Sequence, residues 1–411
     1  MLQSTLFTKA LRDDPKDALS VNARLLERAG FVHKNSAGVY SYLPLGFRVL
    51  KKISAIVREE MDAIGGQELL LPALLDRKYL DATGRFSVDV GYDVRGKNGD
   101  AVEYVLGWTH EEVLTDIATH FVSSYRDLPF SAYQIQTKFR NEPRAKSGVL
   151  RGREFIMKDL YSFHSSQDDF ERFYLVVKEA YLRVFRRCGL DALYVAAGGG
   201  AFTASVTHEF QVVSPVGEDE IFVCAKCSHA ENSEISKLAD GAACPACGGA
   251  VAKKTSIEVG NIFPLGTKYS EALDLRFADE RGERKHVVMG SYGIGISRLM
   301  GAVVEVHHAD QGLAWPSSIA PFQVHLLDFT RGGTRAKAAY DALSSAGIEV
   351  LWDDRDVSPG EKFVSADLIG LPFRAVVSEK TGDALEVSKR GERAGTLVPM
   401  SEAIASLSHG I

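Results

Sequence analysis

The segment from Lys138 to Asp159, KFRNEPRAKSGVLRGREFIMKD, concentrates seven Lys or Arg residues: Lys138, Arg140, Arg144, Lys146, Arg151, Arg153 and Lys158. The whole chain carries a net charge of −6, so this cationic island expects an anionic partner. A guanidinium can grip a carboxylate or a phosphate oxygen with fixed fork geometry. Taken alone, the same residues would also suit a solvated basic hairpin. A second candidate is Met289 to Arg298, MGSYGIGISR, which joins a strand to a helix through glycines. Gly293 and Gly295 let a ligand approach the backbone closely, and Arg298 falls in the first helical turn, where a phosphate is readily held. The third candidate is a metal pattern. Cys224-Ala-Lys-Cys227 and Cys244-Pro-Ala-Cys247 are two CxxC pairs separated by sixteen residues, the spacing of a zinc ribbon. Four thiolates would close a tetrahedral structural Zn2+ site with no position left for water. The alternatives are two disulfides or a redox pair; His229 is a spare donor, and Cys188 stands outside the pattern.

Phe139-Arg140-Asn141-Glu142, followed by Arg151 and by Arg153-Glu154-Phe155, resembles motif 2 of the class II aminoacyl-tRNA synthetases, in the wording of prolyl-tRNA synthetases of bacterial and mitochondrial type. The chemistry explains the residue types. Joining an amino acid to ATP forces a carboxylate against a triphosphate, and an arginine between them offsets the repulsion and aligns in-line attack. The resemblance makes Arg140 and Arg298 the catalytic candidates. It places Glu142, Arg151, Phe155, Gln211, Gly293 and Gly295 with them around ATP, Phe155 as the face on which adenine stacks. Met289 to Arg298 is similar to motif 3. Thr109-His110-Glu111 resembles the family loop whose Thr and Glu hold the proline imino group, a secondary ammonium with two N–H donors. Asp159, Phe163, His208 and Ser291, together with Arg140, complete the implied L-proline site. Ser291 stands where relatives often have Cys, and Asn141 where the common residue is Asp. Mg2+ is implied by the triphosphate.

These residues need elements to position them. Tyr133 to Phe139 and Glu154 to Leu160 read as two strands flanking a loop with Pro143 and Ser147-Gly148. A helix is expected from Trp108-Thr109 to about Tyr125, with Thr109 as N-cap and acids in its first turn. Ser166 to about Arg187 reads as an amphipathic helix. Upstream, a helix after Asp13-Asp14-Pro15, an amphipathic helix to about Ile64 with Val49, Ile53, Ile56, Val57 and Met61 on its stripe, and a strand from Glu68 to Leu71 are expected. Helix, strand and Pro72 resemble motif 1, which forms the homodimer interface in that family. Beyond Ala320-Pro321, strands at 324–327, 348–352 and 375–377 alternate with helices near 336–346 and 361–369. Asp353-Asp354-Arg355, Gly360-Glu361-Lys362-Phe363 and Leu368-Ile369-Gly370-Leu371-Pro372 resemble the anticodon-binding domain of the prolyl, threonyl, glycyl and histidyl enzymes.

The expected fold class is therefore α+β: a class II antiparallel-sheet catalytic core at 1–220 and 257–320, a small zinc-ribbon insert at 221–256, and an α/β anticodon-binding domain at 321–411. The insert falls where many bacterial relatives carry an editing domain for alanyl-tRNA, and it is too short for that fold. Implied partners are tRNA(Pro), L-proline and a second copy of the chain. A pI near 6.0 argues against an indiscriminate binder of DNA or other polyanions, yet it leaves room for local basic groups. No run is apolar enough to span a bilayer, no leader is visible in the first thirty residues, and clustered thiols point to a reducing cytoplasm. Two rivals remain: an adenylate-forming paralogue with a non-tRNA acceptor, and a non-catalytic tRNA-binding module. The first fits poorly with the anticodon-type domain, the second with the presence of both Arg140 and Arg298.

Overall fold

The computed structural model describes residues 1–409 other than Asp17, Asp100, Arg144, Lys146, Ala201, Gln311, Arg331 and Arg393. Two basic residues of the island, Arg144 and Lys146, thus lie outside the described residues. The chain divides into two compact units, one made of 37–39 and 54–302, the other of 1–36, 40–53 and the chain from Val303 onward.

The larger unit is built on one sheet of nine strands. In chain order these are β1 (Gly66–Glu68), β2 (Phe130–Phe139), β3 (Glu154–His164), β4 (Leu193–Ala197), β5 (Thr207–Val213), β6 (Asp219–Cys224), β7 (Ala230–Asn232), β8 (Val251–Gly266) and β9 (Val288–Gly295). Their order across the sheet is β5-β4-β7-β6-β8-β9-β3-β2-β1, and β5 also pairs with β8. All pairings are antiparallel except β7 with β4 and β1 with β2. The register aligns the chemistry. Gln134 lies opposite Asp159, Asp159 opposite Gly293, and Gly293 opposite Asn261, while Ser291 lies opposite Tyr161. A side chain on Gly293 would have its Cβ 2.8 Å from the Asn261 amide oxygen, so only glycine leaves this row clear.

Among the helices of this unit are α1 (Arg77–Ala82), α2 (Glu111–Thr119) and α3 (Gln167–Arg187), and α4 (Ile296–Val306) starts in it. The long helix α3 begins where expected. Ser166 caps it by accepting from the Asp169 N–H, and Asp168 and Asp169 sit in the positive first turn, Arg186 and Arg187 in the negative last one. Its apolar stripe buries Phe170, Tyr174, Val177, Tyr181, Val184 and Phe185, each large side chain worth about 1.5–3 kcal/mol.

The expected helix from Thr109 is shorter than its sequence pattern. It ends at Thr119, and Ser124 opens a separate turn at Tyr125–Asp127. The cause is local: the Asp127 carboxylate accepts from the Ser123 and Ser124 N–H groups, each at 2.9 Å, which favours a turn over continued helix. Thr109 is not the N-cap. His110 holds that position without a side-chain cap, because the Thr109 hydroxyl is bound to Glu111. The expected strand at 68–71 pairs at 66–68, and the first helix runs Val21–Arg28 rather than following Pro15 directly. The helix leading to motif 1 is present at Pro44–Ala63.

In the second unit, β10 (Val324–Asp328), β11 (Val350–Asp353), β12 (Phe373–Val377), β13 (Ala384–Lys389) and β14 (Thr396–Pro399) form a sheet in the order β11-β10-β12-β13-β14. Helices α5 (Thr334–Ser345), α6 (Pro359–Ile369) and α7 (Met400–His409) accompany it. Ser358 caps α6, Pro359 follows in the first turn, and Gly370 closes it in the left-handed region at φ 71°, the arrangement its sequence leads one to expect. The N-terminus joins this unit: the Met1 amino group donates to the Val350 carbonyl at 2.8 Å, and the Gln3 N–H to the Trp352 carbonyl at 2.7 Å.

Candidate active site

Strands β2 and β3, the loop between them, the start of β6, β8 and the start of α4 surround a cavity of about 250 Å³. Arg140, Glu142, Arg151, Phe155, Glu218, Asp219, Glu258 and Arg298 all line it. Two of its arginines are held by carboxylates. The Arg298 Nη1 donates to the Glu258 carboxylate at 2.8 Å and to the Glu258 carbonyl at 2.9 Å, while its Nε donates to the Leu150 carbonyl at 2.9 Å. Arg151 pairs with Glu142 at 2.8 Å and with Glu218. Arg140 differs. Its guanidinium lies over the Phe155 ring at 5.2 Å, its Nε is buried without a hydrogen-bond partner, and among the described residues no carboxylate pairs with it. Burial and the nearby Arg298 push its pKa down, while Glu258 on one side and Glu111 on the other oppose them.

Next to this cleft lies a second, drier cluster. Glu111 is fully buried; its Oε2 accepts from the Thr109 hydroxyl at 2.5 Å and from Arg85 Nη1 at 3.0 Å, and its Oε1 accepts from the Ser291 hydroxyl at 2.9 Å. The Tyr161 hydroxyl accepts from the His110 N–H and donates to Asp159 Oδ2, both at 2.9 Å. Asp159 Oδ2 also accepts from Lys138 Nζ and Gln134 Nε2, each at 2.9 Å, while its Oδ1 is buried without a partner. Lys138 Nζ lies 2.6 Å from His110 Nδ1. Burial alone would raise Glu111 and Asp159. Arg85 with Thr109 offsets that for Glu111, and Lys138 with His110 and Gln134 for Asp159, so both carboxyls end below their ordinary values. Burial and Lys138 push His110 down to about 4, so its ring is neutral at pH 7.

The sequence-assigned residues thus fall into place unequally. Thr109, Glu111, Asp159 and Ser291 share one hydrogen-bonded cluster, and Arg140, Glu142, Arg151, Phe155 and Arg298 share one cavity. Gln211 stands behind that cavity, its amide donating to Glu209 and to Asp219 at 2.8 Å each. His208 is set apart, stacked on Tyr194 at 4.3 Å with Nδ1 2.9 Å from the Tyr174 hydroxyl. Phe163 is fully buried against Phe130, the ring centroids 4.5 Å apart, within an apolar core. Arg85, Lys138, Glu218, Asp219 and Glu258 were not singled out as site residues from sequence. Only the KFRNE and IEVGN runs around Lys138 and Glu258 offered a signal.

The four cysteines meet at one end of β6 and β8. Cys224, Cys227, Cys244 and Cys247 place their sulfurs within 4.8 Å of one another, each CxxC on a tight turn. This donor set fits a tetrahedral zinc ion.

Residues 92–307 match the family model of the tRNA synthetase class II core domain (G, H, P, S and T), and residues 319–409 match that of the anticodon binding domain. Sheet, cleft and both matches define a class II aminoacyl-tRNA synthetase with its anticodon-binding domain. The proline–tRNA ligase of Coprothermobacter proteolyticus is 32% identical over 554 aligned positions, covering 100% of this chain and 99% of that protein. That of Rhizorhabdus wittichii is 39% identical over 436, covering 99% and 100%. The crystal structure of the prolyl-tRNA synthetase of Cryptosporidium parvum with L-proline and AMP superposes with a TM-score of 0.79 at 17% identity, covering 97% of this chain and 76% of that one. The chain belongs to the prolyl-tRNA synthetase family. Its reaction is the ATP-dependent activation of L-proline to prolyl-adenylate and transfer of the prolyl group to the 3′ end of tRNA(Pro).

Proposed function

We propose that Arg140 is the residue around which activation is organised. The observation that carries this reading is a cavity-lining guanidinium that no carboxylate pairs with among the described residues and whose Nε is buried without a partner, while the charges of Glu258 and Glu111 act on it without bonding it. Arg140 binds one oxygen of the proline carboxylate and one of the α-phosphate. A carboxylate oxygen attacks the α-phosphorus, the bond to the β-phosphate breaks, and pyrophosphate leaves. Arg140 stabilises charge gathering on the α-phosphate oxygens. Arg298 and Arg151 exchange their protein carboxylates for phosphate oxygens, Glu142 bonds the nucleotide, and Phe155 supports the adenine ring. Gly293 and Gly295 keep the backbone open beside it, and Gln211 orders the acids behind. Glu111 and Thr109 take the two N–H donors of the proline imino group. Ser291 and Asp159 fix those groups, and Phe163 and His208 bound the apolar side of the pocket. In the second step a ribose hydroxyl of tRNA attacks the prolyl carbonyl and AMP departs.

Magnesium would sit with the triphosphate against Asp219 and Glu258. Burial and Glu258 push the neighbouring Glu209 up to about 8, an excess of negative charge that a divalent cation would relieve. Zinc would be held by the four cysteines as a structural ion, its binding coupled to folding of the ribbon. We assign 1–220 and 257–320 to the catalytic core, 221–256 to the ribbon and 321–411 to anticodon binding. Dimerisation through Pro44–Ala63 and the strand after it, and a cytoplasmic location, complete the reading. Among the described residues no helix is long and apolar enough to cross a membrane. The ribbon replaces the editing domain, so the chain does not edit in cis. The test is amino-acid-dependent pyrophosphate exchange with each of the twenty amino acids, followed by tRNA charging. Exchange with proline and charging of tRNA(Pro) is the expected result; no exchange from folded, zinc-loaded protein would overturn the residue assignments.

A further inference from the structure

Of the buried cations that the chemistry above does not use, Arg85 is the one that touches two carboxyls at once. Arg85 follows α1 and is only 3% exposed. Its N–H donates to the Leu80 carbonyl at 2.8 Å, and its guanidinium lies over the rings of Trp108 at 4.3 Å and Phe202 at 4.9 Å. A single nitrogen, Nη1, is 3.0 Å from Glu111 Oε2 and 3.0 Å from Glu112 Oε1. Among the described residues Nε and Nη2 are buried with no hydrogen-bond partner. So poor a use of five donors is costly, and it gains little in stability that an apolar side chain could not supply. The arrangement makes sense as a device acting on the two glutamates.

We propose that Arg85 is a positioning residue for proline activation, clamping Glu111 as the ionised, correctly turned carboxylate that receives the imino group of proline, with Glu112 as the neutral member of the pair. This rests on the role given above to Glu111. Two adjacent carboxyls, both buried, cannot both stay charged beside one guanidinium. The surroundings separate them: Glu111 has three donors, from Arg85, Thr109 and Ser291, whereas Glu112 has two, from Arg85 and the Thr83 hydroxyl at 2.7 Å. A carboxylate offers about four acceptor positions, so Glu111 retains one for a substrate N–H. Burial, with Glu111 beside it, raises Glu112 despite Arg85, while at Glu111 the Arg85 charge together with the bonds from Thr109 and Arg85 more than offsets burial.

The other cations that face Glu111 are Lys138, Arg140 and Lys268. Its titratable neutral neighbours are His110, Tyr161 and Tyr269. Among the described residues only Arg85 pairs with it directly. Lys138 is committed to Asp159, and Arg140 is assigned to the reacting groups.

The test is Arg85→Met in proline-dependent pyrophosphate exchange between pH 6 and 8.5. The KM for proline should rise roughly 10–100-fold at pH 7, the range for a lost bond to a buried charge. It should then fall as pH rises, because Glu111 without Arg85 must first lose a proton. The wild type should show a flat profile, and the KM for ATP should stay within about twofold. Adding Glu112→Gln to Arg85→Met should recover part of the affinity by removing the competing carboxyl. A folded Arg85→Met enzyme with a flat profile, or with both KM values raised together, would overturn the proposal. If Arg85→Met does not fold, Arg85→Gln carries the same test: its amide can still donate to Glu111 but brings no charge, so the same pH tilt is expected and a flat profile there is equally fatal. Absence of proline exchange in the wild type would strike the proposed function instead, and would be seen before any variant is made.

Discussion

Replacing Arg140 by alanine should separate stability from activity. Among the described residues its guanidinium has no carboxylate partner and its Nε is buried without one, and Arg298 is a repelling neighbour. Removal of an unmet buried donor returns about 1–3 kcal/mol, and relief of repulsion adds to it. Loss of the contact with Phe155 subtracts a cation–π term of about 0.5–2 kcal/mol. The balance is a larger unit as stable as the wild type or more so, by about 1 kcal/mol. Activation should suffer in the opposite sense. Loss of one preorganised donor to a developing oxyanion costs about 10²–10³ in rate, and the carboxylate–phosphate repulsion it leaves pushes the effect to that upper end or beyond. Thermal unfolding of Arg140→Ala, followed beside proline-dependent pyrophosphate exchange, reads both. A destabilised variant with exchange near the wild-type rate would refute the reasoning at both points, since Arg140 would then be a structural cation.

Cys247→Ser or a strong chelator should release one zinc ion per chain, seen by elemental analysis. Because β6 and β8 run from the zinc turns to Asp219 and Glu258, the KM for ATP should rise severalfold while that for proline changes little. Glu209→Gln should alter the pH dependence of stability. The wild-type carboxyl keeps its proton in the folded state up to about pH 8 but loses it near 4.5 when unfolded, so wild-type stability falls as pH rises through that window. The variant lacks this loss and should be more stable by up to about 4 kcal/mol at pH 8, from the difference between about 8 and 4.5 at about 1.36 kcal/mol per pH unit, with the gap closing near pH 4.5 in parallel melts. Purified protein should leave alanyl-tRNA(Pro) intact beyond the uncatalysed rate; rapid release of labelled alanine would show editing elsewhere in the chain.

The parts of the site that were legible in the sequence are those whose chemistry is local. Four cysteines on two tight turns, Arg140 beside Glu142, and Arg298 just past a glycine-rich strand end carry their meaning within a few residues. Ser166 and Ser358 are equally readable, because a cap is satisfied by backbone two or three positions away. Thr109 shows where such reading fails. Its pattern fits an N-cap, but a buried carboxylate at Glu111 outbids the helix terminus for the hydroxyl, a tertiary preference that no local rule contains. Arg85 lies twenty-six positions from Glu111, and Glu218 and Glu258 reach Arg151 and Arg298 only after three strands have paired in register. Such contacts are products of topology, so their residues look like ordinary surface charges until the sheet is assembled.

The same topology explains how the arginines of the cleft are held. Arg151 and Arg298 are each paired with protein carboxylates, so their side chains are already placed. Substrate phosphates need only replace oxygens of matching geometry. Arg140 has no carboxylate partner among the described residues, and in the role proposed for it that unbalanced charge lies where the reaction gathers negative charge. Binding groups that exchange one anion for another contribute similarly to substrate and transition state. A guanidinium kept unpaired contributes most as charge accumulates, which is why Arg140, rather than the better-bonded Arg298, is expected to dominate the rate.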